Sequence, residues 1–114
     1  LWEVIGHLNV GLCLDTCHTW AGGIPTIDAV KGFKKLVKKI DLIHFNDSKD
    51  GFESSRDRHE NLGKGKIPKE ELEYVIKNAK TDIIVETPNG PDAQKKDIAW
   101  IRRRLKKWTI YQKT

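Results

Sequence analysis

Aspartate, histidine and glutamate stand at the ends of apolar runs in this chain, and together they could hold metal ions. VGLCLDTCH ends its apolar run on Asp15 and places His18 three residues later. IDLIHFNDSK carries His44 at the end of a second run, and IIVETPNG carries Glu86 at the end of a third. Between them DRHENLGKG adds Asp57 and His59, two apart, so in an extended loop both side chains point the same way and can grip one ion. Carboxylates and imidazoles without cysteine donors suit zinc, manganese or iron in an open site rather than a closed structural zinc. Parallel barrels carry their chemistry on the C-terminal ends of strands and the loops that follow. Three strands ending in Asp, His and Glu therefore read as one site.

Strands and helices must position these residues, and the apolar spacing says where they lie. Val10 to Asp15 reads as a strand with Val10, Leu12 and Leu14 on a face toward helices and Gly11, Cys13 and Asp15 on a face that can line a barrel. The glycine- and proline-containing WAGGIPT follows as a turn. Ile27 to Ile40 has helical spacing, with Ile27, Val30, Phe33, Leu36, Val37 and Ile40 on one side. Its Lys34, Lys35, Lys38 and Lys39 read as solvated surface. Leu42 to Asn46 is a second strand, with Ile43 and Phe45 facing one way and Leu42, His44 and Asn46 the other.

Asp47 to Gly65 has no periodicity, and at about 19 residues it is long enough to be read as a functional loop. Pro68 opens a helix to about Ala79, with Glu70 and Glu71 near its positive end and Leu72, Val75, Ile76 and Ala79 as its apolar stripe. Ile83 to Glu86 is a third strand. Asp92 is expected to cap a last helix with Ile98, Ile101, Leu105 and Trp108 on one face and Arg102, Arg103 and Arg104 elsewhere. Residues 1 to 8 read as the end of a helix closed by Gly6 and Asn9. This alternation predicts an α/β fold with a parallel sheet, about three βα units of a partial (β/α)8 barrel, which closes only at roughly 250 residues.

The 114 residues have the size of one domain, and 38% hydrophobic with 32% charged residues is ordinary for a globular protein. A net charge of +5 and a pI of about 9.3 suit an anionic partner, nucleic acid above all, although a lysine-rich solvated surface gives the same numbers. No run of 18 apolar residues exists, so no spanning helix is expected, and LWEVIGHL lacks the features of a secretory signal. The chain opens on Leu1 and has no methionine, the expectation being a piece of a longer protein. Cys13 and Cys17 would lie roughly 13 Å apart along a strand, too far for a disulfide. Both are expected as reduced, buried structural thiols in a reducing compartment.

DTCH with its glycine-containing loop, HFNDSK, DRHENLGKG, VETP and the final IAWIRR helix resemble the C-terminal part of the endonuclease IV family of apurinic/apyrimidinic endonucleases. The four motifs come in the family's order and approximate spacing, and the match covers nearly the whole chain from Val10. The resemblance implies a TIM barrel of the xylose isomerase-like superfamily, with residues 1–114 the C-terminal portion of one domain whose N-terminal half is missing. It implies a trinuclear zinc cluster that hydrolyses the phosphodiester 5′ to an abasic site, leaving a 3′-hydroxyl, in base excision repair. By position, His18, Asp57 and His59 become the shell of one zinc. Asp15, His44 and Glu86 serve a second, with Glu86 also close to the attacking water as the catalytic carboxylate.

In the family a bridging glutamate and the two histidines of the remaining zinc belong to the N-terminal half, outside this chain. Arg58 matches a position near the DNA phosphates, and Asn46, Asp47, Ser48 and Lys49 match a loop supporting the site. The implied partner is double-stranded DNA with abasic sites, with no membrane and a monomeric full-length protein. The implied location is the cytoplasm, at the nucleoid, in a prokaryote, and the nucleus or mitochondrion in a eukaryote. One departure stands out: the family has Gly-Ser ahead of D-R-H, whereas Glu53 precedes Ser54 here, which leaves the local loop conformation open. A metal-dependent sugar isomerase or epimerase of the same superfamily is the alternative enzyme, with the D-R-H loop and basic charge favouring DNA. The other alternative is a catalytically incomplete fragment with open sheet edges.

Overall fold

The computed structural model describes residues 10–37 and 39–113, with side chains up to residue 106. The helix end expected over residues 1 to 8, Lys38 and the side chain of Trp108 lie outside the described residues. Three short strands form the scaffold: β1 (Cys13–Asp15), β2 (Leu42–His44) and β5 (Asp82–Ile84). They are parallel, in the order β1-β2-β5, with Asp15 opposite His44 and His44 opposite Ile84. Helical crossovers between consecutive parallel strands give this order. The register alone sets two of the expected site residues side by side.

The strands are shorter than the apolar runs that predicted them, because side chains take over the backbone at both ends. The Leu12 N–H donates to the Asp41 carboxylate at 2.8 Å rather than to a strand, so β1 starts three residues after Val10. Beyond His44, the Thr16 hydroxyl and the Asn46 amide oxygen replace the ladder. The pleat otherwise runs as expected: Leu14, Ile43 and Phe45 are buried on the helix side. Val10 is exposed, and so is Cys13, which corrects the expectation of two buried thiols; only Cys17 is buried, and both are free.

Asp15 ends β1 and caps α1 (Thr16–Ala21), its carboxylate accepting the His18 N–H at 3.0 Å. This helix lies where no element was expected. α2 (Thr26–Leu36) stops short of Ile40, since the Val37 N–H bonds back to the Phe33 carbonyl while Val37 itself is extended. Leu36 consequently points to solvent at 57% exposure, and Ile40 is buried as part of the approach to β2. α3 (Lys69–Ala79) follows Pro68 and buries all four residues of its expected stripe. α4 (Gly90–Lys113) begins two residues before Asp92, which therefore lies in its first turn and does not cap it.

The core joins Leu14, Ile43 and Phe45 to Val30, Leu72, Val75, Trp100 and Ile101. Trp100 carries more of the α4 contact than Ile98 and Leu105, which stay 39% and 37% exposed. Asp47 to Gly65 is not the structureless loop its composition predicts: β3 (Asp47–Ser48) and β4 (His59–Glu60) pair antiparallel within it, Ser48 opposite His59. Among the described residues β1 and β5 remain edges and Ile84 is 47% exposed, as in part of a barrel. No described helix is long and apolar enough to cross a membrane.

Candidate metal centre

Asp15 is held at the junction of β1 and α1, and its two oxygens have different tasks. One caps the helix through the His18 N–H, and the other lies 3.9 Å from His44 Nδ1 and 3.7 Å from His59 Nε2. Two clusters of possible ligands meet there. In the first, donor atoms of Asp15, His44 and Glu86 all lie within 4.8 Å of one another, with His44 Nδ1 2.8 Å from Glu86 Oε1. In the second, Cys17, Asp57 and His59 do the same. His18, exposed at 75%, joins that second cluster through Asp57, its Nδ1 3.3 Å from Asp57 Oδ2. His59 Nε2 lies 3.5 Å from the other Asp57 oxygen.

All six carboxylates and imidazoles singled out in the sequence thus come together at one end of the sheet. Cys17 was read as a structural thiol, and its only signal as a member was its place between Asp15 and His18. Burial pushes the Cys17 thiol up to about 12, so it stays protonated and donates to Asp57. Desolvation works to raise Asp57, but hydrogen bonds from Cys17 and His18 and the nearby His59 outweigh it and hold the carboxyl below its usual value.

His59 is oriented by a main-chain group. Its Nδ1 lies 2.9 Å from the main-chain oxygen of Glu86, which can only accept, so Nδ1 donates there and Nε2 is the nitrogen left for the cluster. Nε2 faces the Asp15 and Asp57 carboxylates, 3.7 and 3.5 Å away. Carboxylate oxygens and an imidazole nitrogen converging in this way could hold a cation.

Arg58, between two ligands in sequence, is engaged elsewhere. Asp50 accepts from its Nε at 2.8 Å and its Nη2 at 2.6 Å, and the side chain is 56% exposed. Asp50 is itself anchored, its carbonyl accepting the Trp20 indole N–H at 3.0 Å. The intervening loop is fastened to α1 by the Glu53 and Ser55 N–H groups, which donate to the carbonyls of Trp20 and Ala21. Glu53 and Ser55 both adopt positive φ, 61° and 62°, so the loop keeps a left-handed backbone that glycine would adopt without strain.

Two buried carboxylates that the motifs did not single out for a role fix the stretch after β4. Asp47 accepts the N–H groups of Ser48, Gly63, Gly65 and Ile67 at 2.8 to 3.1 Å. Asp97 accepts from the Leu62 N–H and the Asn61 amide. Glycine is required at position 65, where a Cβ would meet Ser48 O at 2.3 Å.

Comparison with known proteins bears on this geometry. A family described as xylose isomerase-like TIM barrel matches residues 1–104. A probable endonuclease 4 of Mycobacterium tuberculosis is 48% identical over 104 residues, 91% of this chain and 40% of that protein. Its counterpart in Mycobacterium ulcerans is 46% identical over 105 residues, 92% of this chain and 41% of that protein. Among solved structures, endonuclease IV from Thermus thermophilus superposes with a TM-score of 0.73 at 29% identity, covering 92% of this chain and 42% of that one. The chain spans about 40% of the length of the curated relatives it matches.

Proposed function

The chain belongs to the xylose isomerase-like TIM-barrel family, and from that premise we propose that it is the C-terminal portion of a zinc-dependent endonuclease that acts on abasic sites in double-stranded DNA, hydrolysing the phosphodiester on their 5′ side to leave a 3′-hydroxyl. The observation that carries this reading is the meeting of both ligand clusters at the free oxygen of Asp15. His18, Asp57 and His59 would hold one ion, and Asp15, His44 and Glu86 another. When bound, clustered ions supply an acidified water near neutral pH and neutralise charge building on the phosphoryl and leaving oxygens.

The chain's own residues do the rest. The main-chain oxygen of Glu86 fixes the tautomer of His59, while the Glu86 carboxylate, 44% exposed, would orient the attacking water. The Cys17 thiol and His18 keep Asp57 ionised. Arg58 has three N–H groups beyond the two given to Asp50, which would face the backbone phosphates, and the net charge of +5 favours the same partner. An abasic nucleotide stacks poorly, so drawing it into the centre costs less than extruding a normal one.

The test is incubation of the zinc-supplied chain with a duplex carrying one abasic site, beside a chelator control, an undamaged duplex and a set of aldose and ketose sugars. Chelator-sensitive cleavage 5′ to the lesion with a 3′-hydroxyl product is expected of a centre complete in this chain or completed by a second copy. No cleavage by a folded, zinc-loaded chain makes the portion catalytically incomplete. Sugar interconversion without cleavage overturns the proposal.

A further inference from the structure

Asn46 has its Cα two residues past His44, is fully buried, and bonds to the continuations of the two neighbouring strands, β1 and β5. Its backbone N–H donates to the Thr16 hydroxyl at 2.8 Å, and its carbonyl accepts the same hydroxyl's proton at 2.6 Å. Its amide oxygen accepts the Glu86 N–H at 2.8 Å. The amide orientation is thereby determined, since a flipped group would set N–H₂ against N–H. The parallel ladder has already ended at the Asp15–His44 and His44–Ile84 pairs. The ladder pairs Asp15 directly with His44 but stops two residues short of Glu86, so the Asn46 amide oxygen, on the Glu86 N–H, ties that ligand to the β2 side.

We infer that Asn46 is a positioning residue of the metal centre: its amide oxygen, by accepting the Glu86 N–H, sets Glu86 against the ladder-paired Asp15 and His44. Asp15 and His44 are the last ladder pair of β1 and β2 and Glu86 lies two residues past β5, and the donor atoms of all three lie within 4.8 Å of one another. Past the ladder the cross-links run through residue 46, its backbone to the Thr16 hydroxyl and its amide oxygen to the Glu86 N–H. A structural role alone would be met by any side chain filling the space, whereas here a buried amide keeps its Nδ2 without a partner among the described residues. Leaving a buried donor unpaired is costly, so the retained amide is tied to the acceptor function of its oxygen. Residues that orient metal ligands from behind typically change affinity tenfold to a hundredfold when removed.

This inference rests on the metal-centre reading above, and the experiment separates the two. Zinc affinity is measured on the full chain by competition with a chromophoric chelator, and coordination geometry by the visible spectrum of the cobalt-loaded chain. The variants are Asn46→Ala, Asn46→Asp, which keeps an acceptor oxygen in place, and His44→Ala as a ligand control. Expected is a loss of roughly tenfold or more in affinity with an altered cobalt spectrum for Asn46→Ala, and recovery to within a few-fold for Asn46→Asp. Wild-type affinity and spectrum in a folded Asn46→Ala chain, with zinc lost in His44→Ala, overturns the inference and leaves the metal centre standing. No zinc uptake by the unsubstituted chain overturns both. Should Asn46→Ala not fold, Asn46→Leu against Asn46→Asp decides: the two are close in shape, the variant without an acceptor oxygen loses affinity and the one with it retains it, and equal affinity in the two sinks the inference.

Discussion

His59 Nδ1 lies 2.9 Å from the main-chain oxygen of Glu86, and this bond between a residue of β4 and one just past β5 decides which face the imidazole shows to Asp15 and Asp57. A carbonyl oxygen has no proton to give, so the imidazole keeps its own on Nδ1. The nitrogen offered to the cluster is thus selected by backbone just past a different strand, which no local reading of D-R-H contains.

His59→Asn separates these two jobs, because the asparagine amide can imitate Nδ1 and its bond to the Glu86 carbonyl but has nothing at the Nε2 position. Zinc affinity should fall about a hundredfold while the metal-free melting temperature moves by only a few degrees. A chelator competition beside a thermal melt reads both, and unchanged zinc affinity would remove His59 from the centre.

Asp47 is buried among four N–H donors, yet burial outweighs them and lifts its carboxyl above the ordinary 3.8. The native state then keeps this proton to higher pH than the unfolded chain does, so Asp47's contribution to stability is fully present below 3.8 and shrinks as pH rises through the lifted native pKa. Asp47→Asn turns an amide N–H₂ toward backbone N–H groups and should cost about 2 to 3 kcal/mol. Urea unfolding at several pH values should show the gap between the unsubstituted chain and the variant narrowing from acid toward neutral pH. A gap that widens would mean that the four donors win over burial.

Two glycines should respond in opposite directions to alanine. At Gly65 the added methyl would lie 2.4 Å from Asp47 Oδ1, besides its collision with the Ser48 carbonyl, and Gly65→Ala should destabilise by about 2 to 3 kcal/mol. Gly32, inside α2, has nothing within 4 Å of the position, and Gly32→Ala should stabilise by about 1 kcal/mol. Chemical denaturation of the two variants side by side checks the pair, and similar effects would contradict the packing described around Asp47.

Arg58 bears on the nucleic-acid reading independently of the metal. Arg58→Ala should weaken binding to any duplex alike and reduce the dependence of affinity on salt by roughly one phosphate's share. Fluorescence anisotropy over a salt series measures this; an unaltered slope would leave Arg58 as the partner of Asp50 and nothing more.

Much of this protein was legible in one dimension. The apolar runs located three parallel strands, Pro68 and the stripe from Leu72 to Ala79 located α3, and Asp15, His44 and Glu86 at run ends with His18 and the D-R-H pair beyond them named the six candidate ligands, because periodicity and residue chemistry are properties of neighbours along the chain. What tertiary structure decided lies between strands. Asp15 sits beside His44 because of a register, and His59 presents Nε2 because Glu86 lends it a carbonyl. Cys17 belongs to the cluster because a helix starts where a loop was expected, and Asn46, Asp47 and Asp97 matter because each spends its polar atoms on segments distant in sequence. Their composition is that of any turn; only the backbone groups brought to them by folding make them the frame of a site.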